Sequence, residues 1–484
     1  MTYRLSKTKI MSGRQCPKRL YLHTHHPELE CVSDSLAQRF SIGNEVGEIA
    51  QRLHPSGILI EHVDNLTAAL SETNEVMGRN LGVPVFEGAF SHGGVLIRAD
   101  VLHQADTGLL LTEVKSSTSV KDYQVLDCAI QAWVMEGAGY ELDKIRVAHI
   151  DSSFIYEQEG IYDGLMAVAD VTEQVRPLQG QVQQWIDESQ DLLSGGMPTI
   201  EVGDHCRHPF ECPFYDHCNP IKTDYPVMTL PYGGKVARAL ISEGIVDIRD
   251  IPDGRLSNEK HARIRQSVLA GRPIIDPELG EIIRALPYPR YYLDFETISF
   301  AVPRWLGTSP YKQLPFQWSC HIEDASGDIR HEEFLDTSGH APMRSFIESL
   351  LQVLGEKGPI VVYSAFEASR LKDLARMFPE YEENISQVIS RIFDLLPLVR
   401  QHYYHPAMQG SWSIKYVLPT IAPELDYSKL EEVQHGGAAQ MAYLESISPE
   451  VDADRKFSLV KNMLAYCKLD TLAMVKIAEH FGDK

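Results

Sequence analysis

Val95-Leu-Ile-Arg-Ala-Asp100, His103-Gln-Ala-Asp-Thr-Gly108 and Leu109-Leu-Leu-Thr-Glu-Val-Lys115 read in succession as a strand closing on an acid, a turn, and a returning strand. Side chains alternate along a strand, so Glu113 and Lys115 face the same way while Val114 packs behind them. With Asp100, three functional groups fall on one surface. Two carboxylates can hold one or two Mg²⁺ ions that polarise a phosphate and activate a water, and the lysine can orient that water or neutralise developing charge. For an isolated Glu-x-Lys the alternative is a hairpin carrying solvated charges.

Cysteines bracket this hairpin, with Cys16 upstream and Cys206, Cys212 and Cys218 downstream. Zinc sites usually bring ligands in close pairs, whereas one distant cysteine plus three at even spacing suits a [4Fe-4S] cluster. Cys31, Cys128, Cys320 and Cys467 read as buried apolar side chains.

At 484 residues the chain is too long for one ordinary core, so two or three domains are expected. Hydrophobic residues at 44% and charged residues at 23% describe a soluble globular protein. No apolar run is long enough to span a bilayer, and MTYRLSKTKIMSGRQ lacks the apolar centre of a signal peptide, so a cytoplasmic location is expected. Thiols stay reduced there, which argues against a disulfide framework and for metal ligation by some of the 8 cysteines. The formal net charge of -22 argues against tight, nonspecific coating of duplex DNA, although local basic patches can still contact phosphate.

Turn signals divide the chain into residues 1–222, a short helical segment over 227–275, and alternating strands and helices over 285–484. Asn219-Pro-Ile-Lys-Thr-Asp-Tyr-Pro226 reads as a linker because its prolines disfavour helix. The helical segment holds Gly233-Gly-Lys235 and a second helix, roughly Asn258 to Ala270, with Lys260, Arg263 and Arg265. It resembles a helix-hairpin-helix, whose glycine turn offers N–H groups to a DNA phosphate; a small helical spacer is the other reading. Gly-Gly-Lys lacks the spacing of a nucleotide-binding loop, and no ATPase motor motif is present.

In the last block, Arg290-Tyr-Tyr-Leu-Asp-Phe-Glu-Thr297 reads as a strand with Asp294 and Glu296 on one face. Pro359-Ile-Val-Val-Tyr-Ser-Ala-Phe-Glu367 sets an acid after another strand, with Asp394 as a competitor. On a late helix, Tyr466 and Asp470 share a face. Four acids and a tyrosine can then converge, as two-metal hydrolysis requires when carboxylates clamp ions about 4 Å apart.

Two family resemblances rest on these residues. Arg98-Ala-Asp100, Thr112-Glu-Val-Lys-Ser-Ser117 and Gln131 on the following helix resemble the RecB-type branch of the PD-(D/E)xK nucleases. The cysteine arrangement, with Ser6-Lys-Thr-Lys9 and Cys16-Pro-Lys-Arg-Leu-Tyr-Leu22, is similar to members carrying an iron–sulfur cluster. Asp294, Glu296, Glu367 and Tyr466-x3-Asp470 resemble the DnaQ-like, or DEDD, exonucleases of the tyrosine subtype. Gly410-Ser-Trp-Ser-Ile-Lys-Tyr-Val-Leu-Pro419 is similar to the segment before their third motif, where Lys415 would contact a phosphate. This chain departs from the patterns in three places: Glu45 and Glu48 stand near an early metal-binding histidine's usual place, Met135 replaces an aromatic, and Glu367 replaces an aspartate.

The resemblances imply an α/β multidomain protein, with a RecB-like restriction-endonuclease fold and a ribonuclease H-like fold joined by a small helical linker domain. They imply a metal-dependent DNA exonuclease with two candidate sites: Asp100, Glu113, Lys115 and Gln131 in one, and Asp294, Glu296, Glu367, Tyr466 and Asp470 in the other. The carboxylates would hold Mg²⁺ or Mn²⁺, and Cys16, Cys206, Cys212 and Cys218 a [4Fe-4S] cluster. Single-stranded DNA or DNA ends would be the nucleic-acid partner, with any helicase or repair/defence partner left open. The competing readings are a nucleic-acid-binding scaffold with an inactive RecB-like half and a structural cluster, and an exonuclease directed at RNA.

Overall fold

The computed structural model describes residues 5–31, 34–62, 65–79, 82–105, 107–219 and 223–482. The chain divides into two compact units, Met1–Pro220 with Phe300–Lys312, and Ile221–Ser299 with Gln313–Lys484. Both units mix strands and helices.

The first unit runs β1 (Leu5–Ser6), α1 (Lys7–Gln15), α2 (Pro17–His25), α3 (Asp34–Arg52), β2 (Ile58–Leu59), α4 (Leu66–Gly78), β3 (Val85–His92), β4 (Val95–Gln104), β5 (Leu109–Lys115), α5 (Asp122–Gly137), β6 (Leu142–Ile150), β7 (Met166–Asp170), α6 (Thr172–Ser194) and α7 (Tyr215–Cys218). Its sheet has the order β2-β3-β4-β5-β6-β7, with β1 pairing beside β4. β3, β4 and β5 are antiparallel neighbours, whereas β5 and β6 run parallel.

The hairpin read from the sequence is β4 and β5, but β4 continues past Asp100 to Gln104. Val101 and Leu102 are buried and pair with Thr112 and Leu111, which carries the strand onward. Val95, Ile97, Ala99 and Val101 alternate as the buried face of β4. Val125, Cys128, Ala129 and Ala132 of α5 and Val182 and Ile186 of α6 share one core with Val95, Ile97 and Ala99. Each large apolar side chain so buried contributes about 1.5–3 kcal/mol, so packing rather than the site's charges fixes the sheet.

The second unit runs α8 (Gly234–Ser242), α9 (Glu259–Ala270), β8 (Ile274–Ile275), α10 (Glu278–Arg284), β9 (Arg290–Ile298), β10 (Leu314–Glu323), β11 (Ile329–Leu335), α11 (Met343–Val353), β12 (Ile360–Val362), α12 (Phe366–Met377), α13 (Glu382–Ser390), β13 (Ile392–Asp394), α14 (Leu395–His402), β14 (Tyr403–Tyr404), α15 (Ile414–Val417), α16 (Gly436–Ser446) and α17 (Ala453–Gly482). Its main sheet has the order β11-β10-β9-β12-β13, and β8 pairs separately with β14. β9 is antiparallel to β10 and parallel to β12. Every β9 residue except Asp294 is buried, as a central strand covered on both faces requires.

The helical segment expected over 227–275 shares the second unit's core. Val227, Leu230, Leu240, Ile248 and Ile264 cluster with Tyr292, Leu395 and Met474. Helices as short as α8 and α9 bury too little apolar surface to stand alone. Of the expected linker, residues 220–222 lie outside the described residues. Among the described residues no helix is long and apolar enough to cross a membrane.

Candidate functional site

In the first unit, Asp100 from β4, Glu113 and Lys115 from β5 and Gln131 from α5 come together, joined by two residues the sequence reading missed, Lys7 and Asp127. Lys7 Nζ donates to Glu113 Oε1 at 2.8 Å and lies 3.4 Å from Asp127 Oδ1. Lys115 Nζ donates to Glu113 Oε1 and, at 3.0 Å, to Asp127 Oδ2. Gln131 Nε2 donates to Glu113 Oε2 at 2.6 Å, and Asp100 Oδ2 accepts from the Val114 amide at 2.7 Å. Asp127 lies four residues before Gln131 on α5, a helical spacing that could have revealed it. Lys7 lies in the Ser6-Lys-Thr-Lys9 stretch quoted above but carried no assigned role.

This site is more enclosed than a surface hairpin, with Glu113 only 1% exposed. Burial raises the Glu113 carboxyl, but Lys115 and Lys7 overcome that and hold it well below the usual carboxylate range. Asp100 is pushed up to about 8, by burial first and by Glu113 second. Glu45 instead pairs with Arg304 at 3.3 Å and Glu48 with Arg52 at 3.6 Å. Beside the site lies a cleft of about 1060 Å³ whose lining includes Arg14, Arg39, Lys121, Tyr123, Phe210 and Tyr311.

In the second unit, β9 presents Asp294 and Glu296, α17 presents Tyr466 and Asp470, and α12 presents Glu367 in its first turn. One carboxylate oxygen each from Asp294, Glu296 and Asp470 lies within 4.8 Å of the others. Asp470 Oδ1 also accepts from the Tyr427 hydroxyl at 2.6 Å. Tyr427, just outside the Gly410–Pro419 stretch, carried no sequence signal. Lys415 Nζ sits 4.8 Å from the Tyr466 ring centre and 5.2 Å from that of Tyr427, and donates to Gln434 O at 2.9 Å.

Like charges crowd this site. Burial first, then Asp470, lifts Asp294 well above its ordinary range and pushes Glu296 up to about 8. Glu367 is pushed up to about 8 by burial first and by Asp394 and Asp470 among its neighbours, and Asp470 up to about 6 by burial despite its bond from Tyr427. Glu367 is 3% exposed and its Oε2 accepts no hydrogen bond. Asp394 is otherwise engaged, since its Oδ1 accepts from Leu396 N at 2.9 Å and caps α14. Asp294 and Glu367 line a cleft of about 910 Å³.

Other sequence expectations are redistributed. Cys467 is buried but also directs its sulfur toward Asp294 Oδ2 at 3.6 Å, and Cys31 is exposed rather than buried. Arg263 donates to the Arg400 and Gln401 carbonyls and Arg265 to Ile251 O, so of the three basic residues on α9 only Lys260 is left exposed and outside these internal bonds. A further group, Asp276, Glu278 and His402, includes a 3.2 Å approach of His402 Nδ1 to Asp276 Oδ2.

Cys16, Cys206, Cys212 and Cys218 line one small pocket with Arg19, and none is in a disulfide. Among the described residues no three of these sulfurs lie within 4.8 Å of one another. A tetrahedral zinc site with bonds near 2.3 Å would set them about 3.8 Å apart.

Residues 291–413, which include Asp294, Glu296 and Glu367, match a family described as a domain of unknown function, DUF2779. The chain is 28% identical over 227 residues to an uncharacterized protein of Ureaplasma parvum serovar 3, covering 42% of this chain and 32% of that protein. It is 27% identical over 208 residues to an uncharacterized protein of Mycoplasma pneumoniae, a homolog of MG366, covering 39% of this chain and 31% of that protein. The chain thus spans about a third of the length of these relatives.

Proposed function

We propose that this protein is a divalent-metal-dependent exonuclease acting on single-stranded nucleic acid or DNA ends, with the second unit's acids as its principal hydrolytic centre. The observation that carries this reading is the convergence of Asp294, Glu296 and Asp470 oxygens within 4.8 Å, beside the buried, unpartnered Glu367 Oε2. Four carboxylates gathered together and raised chiefly by burial form a donor set that suits hard cations. Bound Mg²⁺ or Mn²⁺ would polarise the scissile phosphate and lower the pKa of the attacking water. Asp294, Glu296 and Asp470 would hold the ions, with Glu367 completing the set. Tyr466 would orient the water, and Lys415 would lie toward a phosphate.

A ribonuclease H-like fold is the finer reading of the second unit, supported by the β11-β10-β9-β12-β13 order with acids on central β9. A RecB-like fold is the finer reading of the first, supported by Asp100, Glu113, Lys115 and Gln131 meeting beside its β4–β5 hairpin. The shared pocket of Cys16, Cys206, Cys212 and Cys218 supports the reading that these four thiols would hold a [4Fe-4S] cluster. Such a cluster would tie the start of α2 to the segment around α7. Anaerobically purified protein should be brown, with absorbance near about 400 nm and iron rather than zinc.

One observation favours a second reading, in which the first unit binds without cutting. Both Lys7 and Lys115 are paired with Glu113, so its Oε1 already faces two ammonium groups. The test is degradation of end-labelled DNA and RNA single strands by the full chain with Mg²⁺ or Mn²⁺. Asp294→Ala should abolish hydrolysis, and Lys115→Ala should leave most of it. Undiminished cleavage by the double variant would overturn both assignments.

A further inference from the structure

We infer that the turn before α8 and the start of α9 form a substrate-gripping wall of the second unit's acidic cleft, with Tyr232 as a stacking platform for a nucleobase. The inference deepens the exonuclease reading and rests on it. Pro231, Tyr232, Asn258, Lys260 and His261 line the same cleft as Asp294 and Glu367, so a segment outside the main sheet borders the acids directly.

Tyr232 is 98% exposed, more than any other large apolar side chain among the described residues. Burial does not hold it, and its backbone is strained: φ is +54°, in the left-handed region disfavoured for a residue with a β-carbon. The turn keeps it there. His261 Nε2 lies 2.8 Å from Pro231 O, and at Gly233 a β-carbon would come within 2.9 Å of Leu230 O, which leaves glycine as the residue that fits. Strain maintained from both sides to display an unburied aromatic ring at a cleft points to a contact made with a ligand.

Every nucleobase offers a π-face, so an aromatic platform suits a single strand of any sequence. Charge around the ring fits the strand's backbone. Lys260 is exposed at the first turn of α9 and Arg400 lines the same cleft, in contrast to Arg263 and Arg265, which are bonded internally. Glu259 also lines the cleft, and its charge disfavours phosphate at that point.

The test uses the full chain carrying Lys115→Ala, so that hydrolysis reports the second site. Tyr232→Ala should raise KM for end-labelled oligonucleotides by about 5- to 160-fold, the loss of one base–aromatic stack, with kcat held within about threefold. Tyr232→Trp should restore the KM, and both variants should melt with the parent because the side chain is exposed. Equal effects on DNA and RNA arms are expected, since stacking does not read the 2′-hydroxyl. Asp294-dependent hydrolysis with an unchanged KM in Tyr232→Ala would overturn this inference and leave the exonuclease reading standing. Absence of any Asp294-dependent hydrolysis would overturn both.

Discussion

Glu296→Gln should stabilise the metal-free second unit while silencing its chemistry. The Glu296 carboxyl, ordinarily at 4.5, is pushed up to about 8 by burial first and by Asp470 second. Because the folded state holds this proton more tightly than the unfolded chain, the associated stability is complete below 4.5 and is lost as pH rises through about 8. Each pH unit in that window is worth about 1.4 kcal/mol, so by pH 7 the carboxyl costs folding about 3 kcal/mol. Asp294, Glu367 and Asp470 titrate with it, which trims the gain from replacing one member to about 2–3 kcal/mol. Glutamine keeps the shape, drops the charge and offers N–H groups to the remaining carboxylates. Calorimetry of the full chain in EDTA should therefore show the second unit melting about 4–12 °C higher at pH 7, with the gain shrinking to near zero at pH 5. Tryptophan fluorescence identifies that transition in a background where Trp133, Trp185 and Trp305 of the first unit are replaced by Phe, leaving Trp318 and Trp412. Saturating Mn²⁺ should reverse the order, because the parent binds the ion and the variant has lost a ligand. A variant less stable than the parent at pH 7 in EDTA, or a gain unaltered by acid, would refute the reasoning.

Three further outcomes test individual roles. Glu367→Gln should reduce single-turnover hydrolysis by two orders of magnitude or more, as about 10²-fold per lost transition-state contact implies. Asp394→Ala should leave the rate within a few-fold and cost about 0.5–2 kcal/mol in urea melts, the loss of a helix cap. Lys7→Ala should destabilise the first unit by about 1–3 kcal/mol at neutral pH, through a lost charged hydrogen bond to a buried acid. Glu113 is held below its ordinary 4.5, so that penalty should fade as pH falls from 4.5 toward the depressed value, measurable as converging melts.

The features legible in the sequence are those with a short period. Alternation along β9 put Asp294 and Glu296 on one face, and the four-residue helical step did the same for Tyr466 and Asp470. Breaks of composition marked an α/β chain of more than one unit. Contacts with no local period were not legible. Tyr427 reaches Asp470 from an irregular stretch, and Lys7 reaches Glu113 across 106 positions. Charge alone also misled, since Arg263 and Arg265 resemble phosphate contacts in sequence yet are bonded to backbone carbonyls. The helical segment looked separate because its helices are short, but its apolar residues complete a core begun by β9 and finished by α17.

Residues 300–312 belong to the first unit although the second surrounds them in sequence. Ala301 and Val302 pack with Val46, Ile49, Ile150 and Leu165, and Tyr311 donates to the Ser116 carbonyl. On the ribosome, the amino-terminal unit cannot close this part of its interior when residue 220 emerges. It must wait until synthesis has passed residue 312, about 5–20 s later at ordinary elongation rates. Part of its apolar interior stays open during that interval, so a translational pause between those points should make the nascent chain dependent on chaperones. For the same reason, neither unit can be cut out as one uninterrupted stretch of gene without either leaving part of itself behind or carrying part of the other.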